Sequence, residues 1–171
     1  YEPVRHVWRM ERPLAVAPPA PAWPSGVTAQ PLRGDGDAAE VLALLERSSA
    51  TLPDGWPLRL DRFHAEHLAD ELVDPQLCVL AYQRERLVGA AICETWDDSD
   101  GSIVQLAVDP AERERGIGHA LLLAALARMR EHGLETAVLH VGSGDATPPA
   151  LFADVGMRPA WRQTSWVKRF R

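Results

Sequence analysis

The chain has 171 residues, 46% hydrophobic and 25% charged, which suits one globular domain with a full core. A formal net charge of −6 argues against a nucleic-acid binder, which neutralises phosphates with Lys and Arg. No apolar run approaches the roughly 20 residues that span a bilayer, and the expected compartment is the cytoplasm.

Tyr1–Met10 has the pattern of a strand, and residues 13–25 hold Pro13, Pro18, Pro19, Pro21 and Pro24, which favour an extended polyproline-like linker. The opening also echoes the end of the chain. Tyr1-Glu-Pro3-Val-Arg5 with Trp8-Arg-Met-Glu-Arg12 parallels Met157-Arg-Pro159-Ala-Trp-Arg162 with Trp166-Val-Lys-Arg169. The echo predicts that residues 1–12 are the terminal strand of a preceding, related domain. Residues 13–25 are then the linker, and residues 26–171 the domain proper. Left exposed, that first strand would offer an edge for a second copy or another protein to extend.

Val27–Arg33 alternates as a strand, and Asp35–Arg47 carries Ala38, Val41, Leu42 and Leu45 at helical spacing, with Asp35 or Asp37 as its cap. Asp61–Leu72 reads as a second helix. Leu77–Gln83 and Leu87–Trp96 are apolar runs split by Arg84-Glu85-Arg86, a hairpin signal. Cys78 and Cys93 lie inside these runs and read as buried, reduced thiols. Ser102–Val108 is a further strand, and Ile117–His132 an apolar helix closed by Gly133. Thr136–Val141 is a strand, Gly142–Pro149 a turn, Ala150–Val155 a short helix and Met157–Phe170 a terminal strand pair. This order predicts a mixed α/β fold, a mostly antiparallel sheet flanked by helices.

Chemistry concentrates where the strand Ser102–Val108 runs through Arg113-Glu-Arg-Gly116-Ile-Gly118-His-Ala120 into the apolar helix. Glycines 116 and 118 let backbone pass close to phosphate oxygens, the helix start adds a partial positive charge, and Arg113 and Arg115 add two more. The pattern predicts a phosphate-bearing ligand. A dinucleotide fingerprint would want glycine at Leu121, and a P-loop would want Gly-Lys-Ser/Thr, which is absent. A plain strand–helix turn is the bland alternative. His6, His64, His67, His119, His132 and His140 form no ligand set, so no metal is expected.

On these residues the chain resembles the GNAT superfamily of N-acetyltransferases. Arg113-Glu-Arg-Gly116-Ile-Gly118 is similar to its Gln/Arg-x-x-Gly-x-Gly/Ala turn, Leu106-Ala-Val108-Asp-Pro110 to the strand before it, and Asp145 through Phe152 to Gly156-Met157 to its closing helix and strand. The resemblance covers roughly residues 26–170 and implies an acyl-coenzyme A fold, acetyl-coenzyme A as acyl donor and a small-molecule amine as acceptor. It implies that the coenzyme is held by Leu106, Ala107, Val108, Arg113, Glu114, Arg115, Gly116, Ile117, Gly118, His119 and Ala120. The amides from Arg115 to Ala120 would take the pyrophosphate, and Leu106 and Val108 would pair with the pantetheine arm in a splay between two strands. Val108 would also steady the oxyanion.

Two departures matter. Phe152 stands where family members carry the Tyr that protonates the leaving thiolate, and Asp145 stands where they carry Asn. For the base, Glu94 and Asp145 are the candidates, with Asp97, Asp98 and Asp100 nearby, for which a solvated acidic turn is the bland reading. A carboxylate facing the cleft would favour a cationic acceptor. The reading is direct acetyl transfer in a ternary complex, within a layout like that of two-domain family members. A catalytically degraded acyl-coenzyme A binder with a structural or sensing role is the alternative.

Overall fold

The computed structural model describes residues 2–50, 73–97, 99–143 and 149–167. The strands there are β1 (Glu2–Pro13), β2 (Val27–Gln30), β3 (Val79–Gln83), β4 (Arg86–Thr95), β5 (Asp100–Val108), β6 (Thr136–Ser143) and β7 (Arg158–Val167). The helices are α1 (Asp35–Ser49), α2 (Ile117–Glu131) and α3 (Ala150–Asp154). The strands form one sheet in the order β2-β3-β4-β5-β6-β1-β7, and of its pairings only β5–β6 is parallel. The mixed, mostly antiparallel α/β architecture read from the sequence is therefore the fold. The expected helix at Asp61–Leu72 lies outside the described residues.

α2 forms because Ala and Leu are strong helix formers, and it is buried on nearly every side from Ile117 through Met129. Its close seat on the sheet depends on two glycines. A Cβ on Gly89 would stand 2.8 Å from Leu121 Cδ1, and one on Gly101 would stand 2.8 Å from Leu134 Cδ1 and 2.9 Å from Met129 Sδ. α1 packs on β4 and β5 from the other side, so β4 is buried along both faces. Neither Asp35 nor Asp37 caps α1. Gly34 occupies that position, and Asp37, one turn inside, reaches back to accept from the Arg33 amide at 2.7 Å and from its guanidinium at 2.8 Å.

β1 departs most from expectation. Instead of presenting a bare edge, it fills the slot between β6 and β7, antiparallel to both. Met10 is fully buried, and the Arg12 guanidinium donates to the Val155 carbonyl at 2.6 Å. The terminal pair expected within Met157–Phe170 is a single strand, β7, whose partner comes from the other end of the chain. The proline-rich stretch forms no helix or strand over residues 17–24, but it does not float free: Leu14 is buried and Trp23 packs on the core.

The two thiols are buried as expected, the Cys93 amide donating to Cys78 Sγ at 3.3 Å. Burial pushes the Cys78 thiol up to about 11, and that of Cys93 well above the ordinary value, which disfavours the thiolate at both.

Candidate functional site

The site is built where β5 opens away from β6. Their parallel ladder runs from Asp100–Thr136 to Ile103–Leu139 and stops there, although both strands continue. The cause is on the opposite edge of β5. Against β4, Ile92 pairs with Gln105 and Cys93 with Ile103, so Val104 is an extra residue, a β-bulge. A bulge bends its strand and sharpens the twist, which carries residues 104–108 away from β6.

Among the described residues, that divergence leaves the β5 edge beyond Ile103 without a strand partner. The Asp109 amide donates to Val88 on β4 at 2.9 Å. Backbone groups alternate sides along a strand, so Ala107 also faces β4, and the amides and carbonyls of Leu106 and Val108 face the gap. Half-buried Val104, Leu106, Val108, Val141 and Leu151 give the surroundings an apolar character.

Beyond β5 the chain makes a short 3₁₀ turn, Pro110–Glu112, and then two left-handed residues, Glu114 (φ 62°) and Gly116 (φ 84°), before α2 begins. Closely spaced left-handed residues turn successive amides toward one concavity. The first helical bond of α2 is donated by Ala120 to the Gly116 carbonyl, 3.0 Å. The amides of Ile117, Gly118 and His119 precede it and have no partner within the helix. Ala120, expected among the phosphate donors, instead closes the helix. Gly118 lies beside Val108 and Leu151: a Cβ there would be 3.6 and 3.8 Å from their methyls, so α3 and the end of β5 flank the same spot.

The arginines brace the turn. Arg113 donates to the Ser48 carbonyl at 2.9 Å, while Arg115 pairs with Glu112 and also donates to Gln83 at 3.2 Å. Beneath them Asp109, almost fully buried, accepts from the Ala111 amide (3.0 Å), Arg86 (2.7 Å) and Arg47 (3.2 Å). Burial alone would raise that carboxyl, but the Ala111 amide and the two guanidiniums outweigh it and hold it below the usual carboxylate range. Its contribution to stability is thus present above the unfolded carboxyl value, near pH 4, and is lost as pH falls through the lower folded value. Asp109→Asn should cost about 2 kcal/mol at pH 7. Urea unfolding of the variant should also show a weaker fall in stability between pH 5 and pH 3, and identical slopes in the two proteins would refute the assignment.

The remaining candidates separate. Glu94 is buried on β4, opposite Ser102 of β5, on the sheet face turned away from α2. Asp97 is exposed and closes the β4–β5 connection: its Oδ1 accepts from the amides of Ser99 (2.9 Å) and Asp100 (2.8 Å), which hold its carboxyl low. It is a turn residue. Asp145 and Asp98 lie outside the described residues. Phe152 is buried on α3, an apolar ring with no proton to give. His140, exposed on β6, has its ring between those of Trp96 and Trp161, and desolvation and then Arg9 push its pKa down. The bulge at Val104, the left-handed Glu114 and the Asp109 clamp were not anticipated. Only Asp109-Pro110 left a readable trace, as a capping residue before proline.

The chain is similar to several known proteins. The model of the Acetyltransferase (GNAT) family matches residues 41–157. A mycothiol acetyltransferase of Thermobispora bispora is 35% identical over 161 residues, 89% of this chain and 53% of its own. One of Segniliparus rotundus is 31% identical over 175 residues, 97% of this chain and 65% of its own. The chain thus spans between half and two thirds of the length of these curated relatives. A GCN5-related N-acetyltransferase from Sphaerobacter thermophilus superposes with a TM-score of 0.83 at 27% identity, covering 96% of this chain and 51% of that one. With an open β5 edge, a left-handed glycine turn before a buried helix, and a family match across most of its length, the chain belongs to the GNAT acetyltransferase family.

Proposed function

We propose that this chain transfers acetyl from acetyl-coenzyme A to a small-molecule primary amine, directly, in a ternary complex. One observation carries the reading: the free amides of Ile117, Gly118 and His119 and the bare edge at Leu106 and Val108 belong to one continuous strand–turn–helix. A diphosphate at the first and an extended amide-bearing arm along the second would place a thioester deep in the gap. The amine nitrogen attacks the thioester carbonyl carbon, the oxyanion is steadied by a β5 amide such as Val108, and the C–S bond breaks to release a thiolate. The amine must first lose a proton. Glu94, buried on β4 on the face away from α2, is our candidate to receive it through water, with Asp145 as the other.

The curated relatives' name, mycothiol acetyltransferase, suggests an acceptor related to mycothiol. Their greater length, with the sequence likeness between residues 1–12 and 157–169, supports reading β1 as the closing strand of a preceding related domain.

Phe152 favours a second reading, a domain that binds acyl-coenzyme A without turnover. Thiol release from acetyl-coenzyme A over a panel of amines, with calorimetry of coenzyme A alongside, separates the two. Amine-dependent release supports transfer. Heat of binding without release on any amine supports the second reading, and neither signal defeats both. In an active chain, Phe152→Tyr should restore a proton donor and raise kcat about 100-fold, the lower end of what general acids supply. An unchanged kcat in a variant of unchanged stability would mean that the ring does not face the leaving sulfur.

A further inference from the structure

On the sheet face opposite α2, at the mouth of the gap, three rings stand together in water. Trp96 stacks on His140 with centroids 5.8 Å apart at 28°, and His140 meets Trp161 at 5.6 Å and 53°. The Arg9 guanidinium lies 5.9 Å from the Trp96 ring and is itself bonded to Glu11 at 2.5 Å. Trp96 is 47% exposed and Trp161 44%. Large aromatic rings left this open are unusual on a surface that does not bind something.

Their place in the sheet says what they are near. His140 follows Leu139, the last β6 residue paired with β5, so the rings begin where the strands part. His140 and Trp161 flank Arg9 in register, on the face that Glu94 shares by strand alternation. On the other face the neighbouring Leu139 and its partner Met10 are buried. Among the described residues, the exposed Trp96–His140–Trp161 side offers a molecule an approach to the end of an arm threaded through the gap.

We infer that Trp96, His140 and Trp161 form the acceptor platform, which selects amines carried on a ring with a flat apolar face. This rests on the acetyl-transfer reading. The physical ground is that an aromatic face rewards a flat C–H or π surface laid against it and gives a flexible chain far less, because the chain must be ordered to match it. Arg9, tied to Glu11 and lying over Trp96, fixes the orientation of the ring at one end. Trp96 and Trp161 are positioning residues that act on the acceptor before chemistry.

The test uses the full chain with saturating acetyl-coenzyme A and two matched amine pairs. One is 2-amino-2-deoxyglucose against its open-chain alditol, and the other is phenethylamine against hexylamine. Wild type should prefer the ring member of at least one pair by about tenfold in KM, and which pair responds tells a sugar face from an aromatic one. Trp161→Ala and Trp96→Ala should erase that preference, leaving kcat within about twofold and coenzyme A affinity unchanged, while Trp166→Ala, an exposed tryptophan elsewhere on β7, should not. A merely structural pair of tryptophans would lower stability without moving the ring preference. Equal KM values within both pairs in the wild type, or a preference that survives both substitutions, overturns the inference. If no amine is acetylated, the same four amines are titrated by tryptophan fluorescence. Ring-selective quenching lost in Trp161→Ala then upholds the platform though transfer has failed, and no selective quenching defeats it.

Discussion

A chain lacking residues 1–13 is expected to lose its cooperative unfolding transition. Among the described residues β7 has no other strand partner, and without β1 it is left unpaired, while β6 is stripped along His6–Ser143 to Pro13–Thr136. Fully buried Met10 leaves the core, and the Arg12 tie to the Val155 carbonyl goes with it. Removing one large buried apolar side chain costs about 2–5 kcal/mol, and a whole domain is stable by only about 5–15 kcal/mol, so losing an interior strand exceeds what the rest can supply. Urea titration followed by near-ultraviolet circular dichroism checks this. Met10→Asp is the milder version, with an expected fall in thermal midpoint of about 10 °C or more. Adding a peptide of residues 1–13 to the truncated chain should recover part of the signal. A truncated chain that unfolds at the full-length midpoint would show that β1 contributes nothing.

The second large effect separates stability from ligand binding. Gly118→Asp should leave the fold as stable as before, because a Cβ there meets Val108 and Leu151 at ordinary contact distances of 3.6 and 3.8 Å. A carboxylate in the first turn of α2 even favours the helix by about 0.3–1 kcal/mol. The same charge sits where a diphosphate would rest. At about 4 Å and an effective dielectric near 20, like charges repel by about 4 kcal/mol, enough to weaken coenzyme A more than 100-fold. Calorimetry should therefore fall silent in a protein whose melting point is unchanged or higher, whereas Gly118→Ala should retain most of its heat. A Gly118→Asp dissociation constant within threefold of wild type would remove the diphosphate from this turn.

Much of this was legible from residue order, because local physics dictates it. Gly116 needs a left-handed conformation, Gly133 ends α2 in one, and the Ala/Leu run between them admits no other element. What stayed hidden depends on pairings between distant segments. Nothing in Val104 marks it as a bulge, since the extra residue is defined only against Ile92 and Cys93. β1 reads as an orphan because its partners, β6 and β7, lie at the far end of the chain. Asp97 and Glu94 look alike as acidic residues after an apolar run. Only the register shows that one closes a connection and the other is buried beside Ser102. The close seat of α2 on Gly89 and Gly101 was equally silent, as small residues within strands usually are.

The opening between β5 and β6 follows from the extra residue that β5 carries against β4. Every group offered along its edge is main chain, so mutation can exchange Leu106 or Val108 for other residues and leave the slot in place. On the proposed reading, a main-chain seat for the first substrate leaves the walls facing the second free to change by substitution, so one scaffold can serve different acceptors.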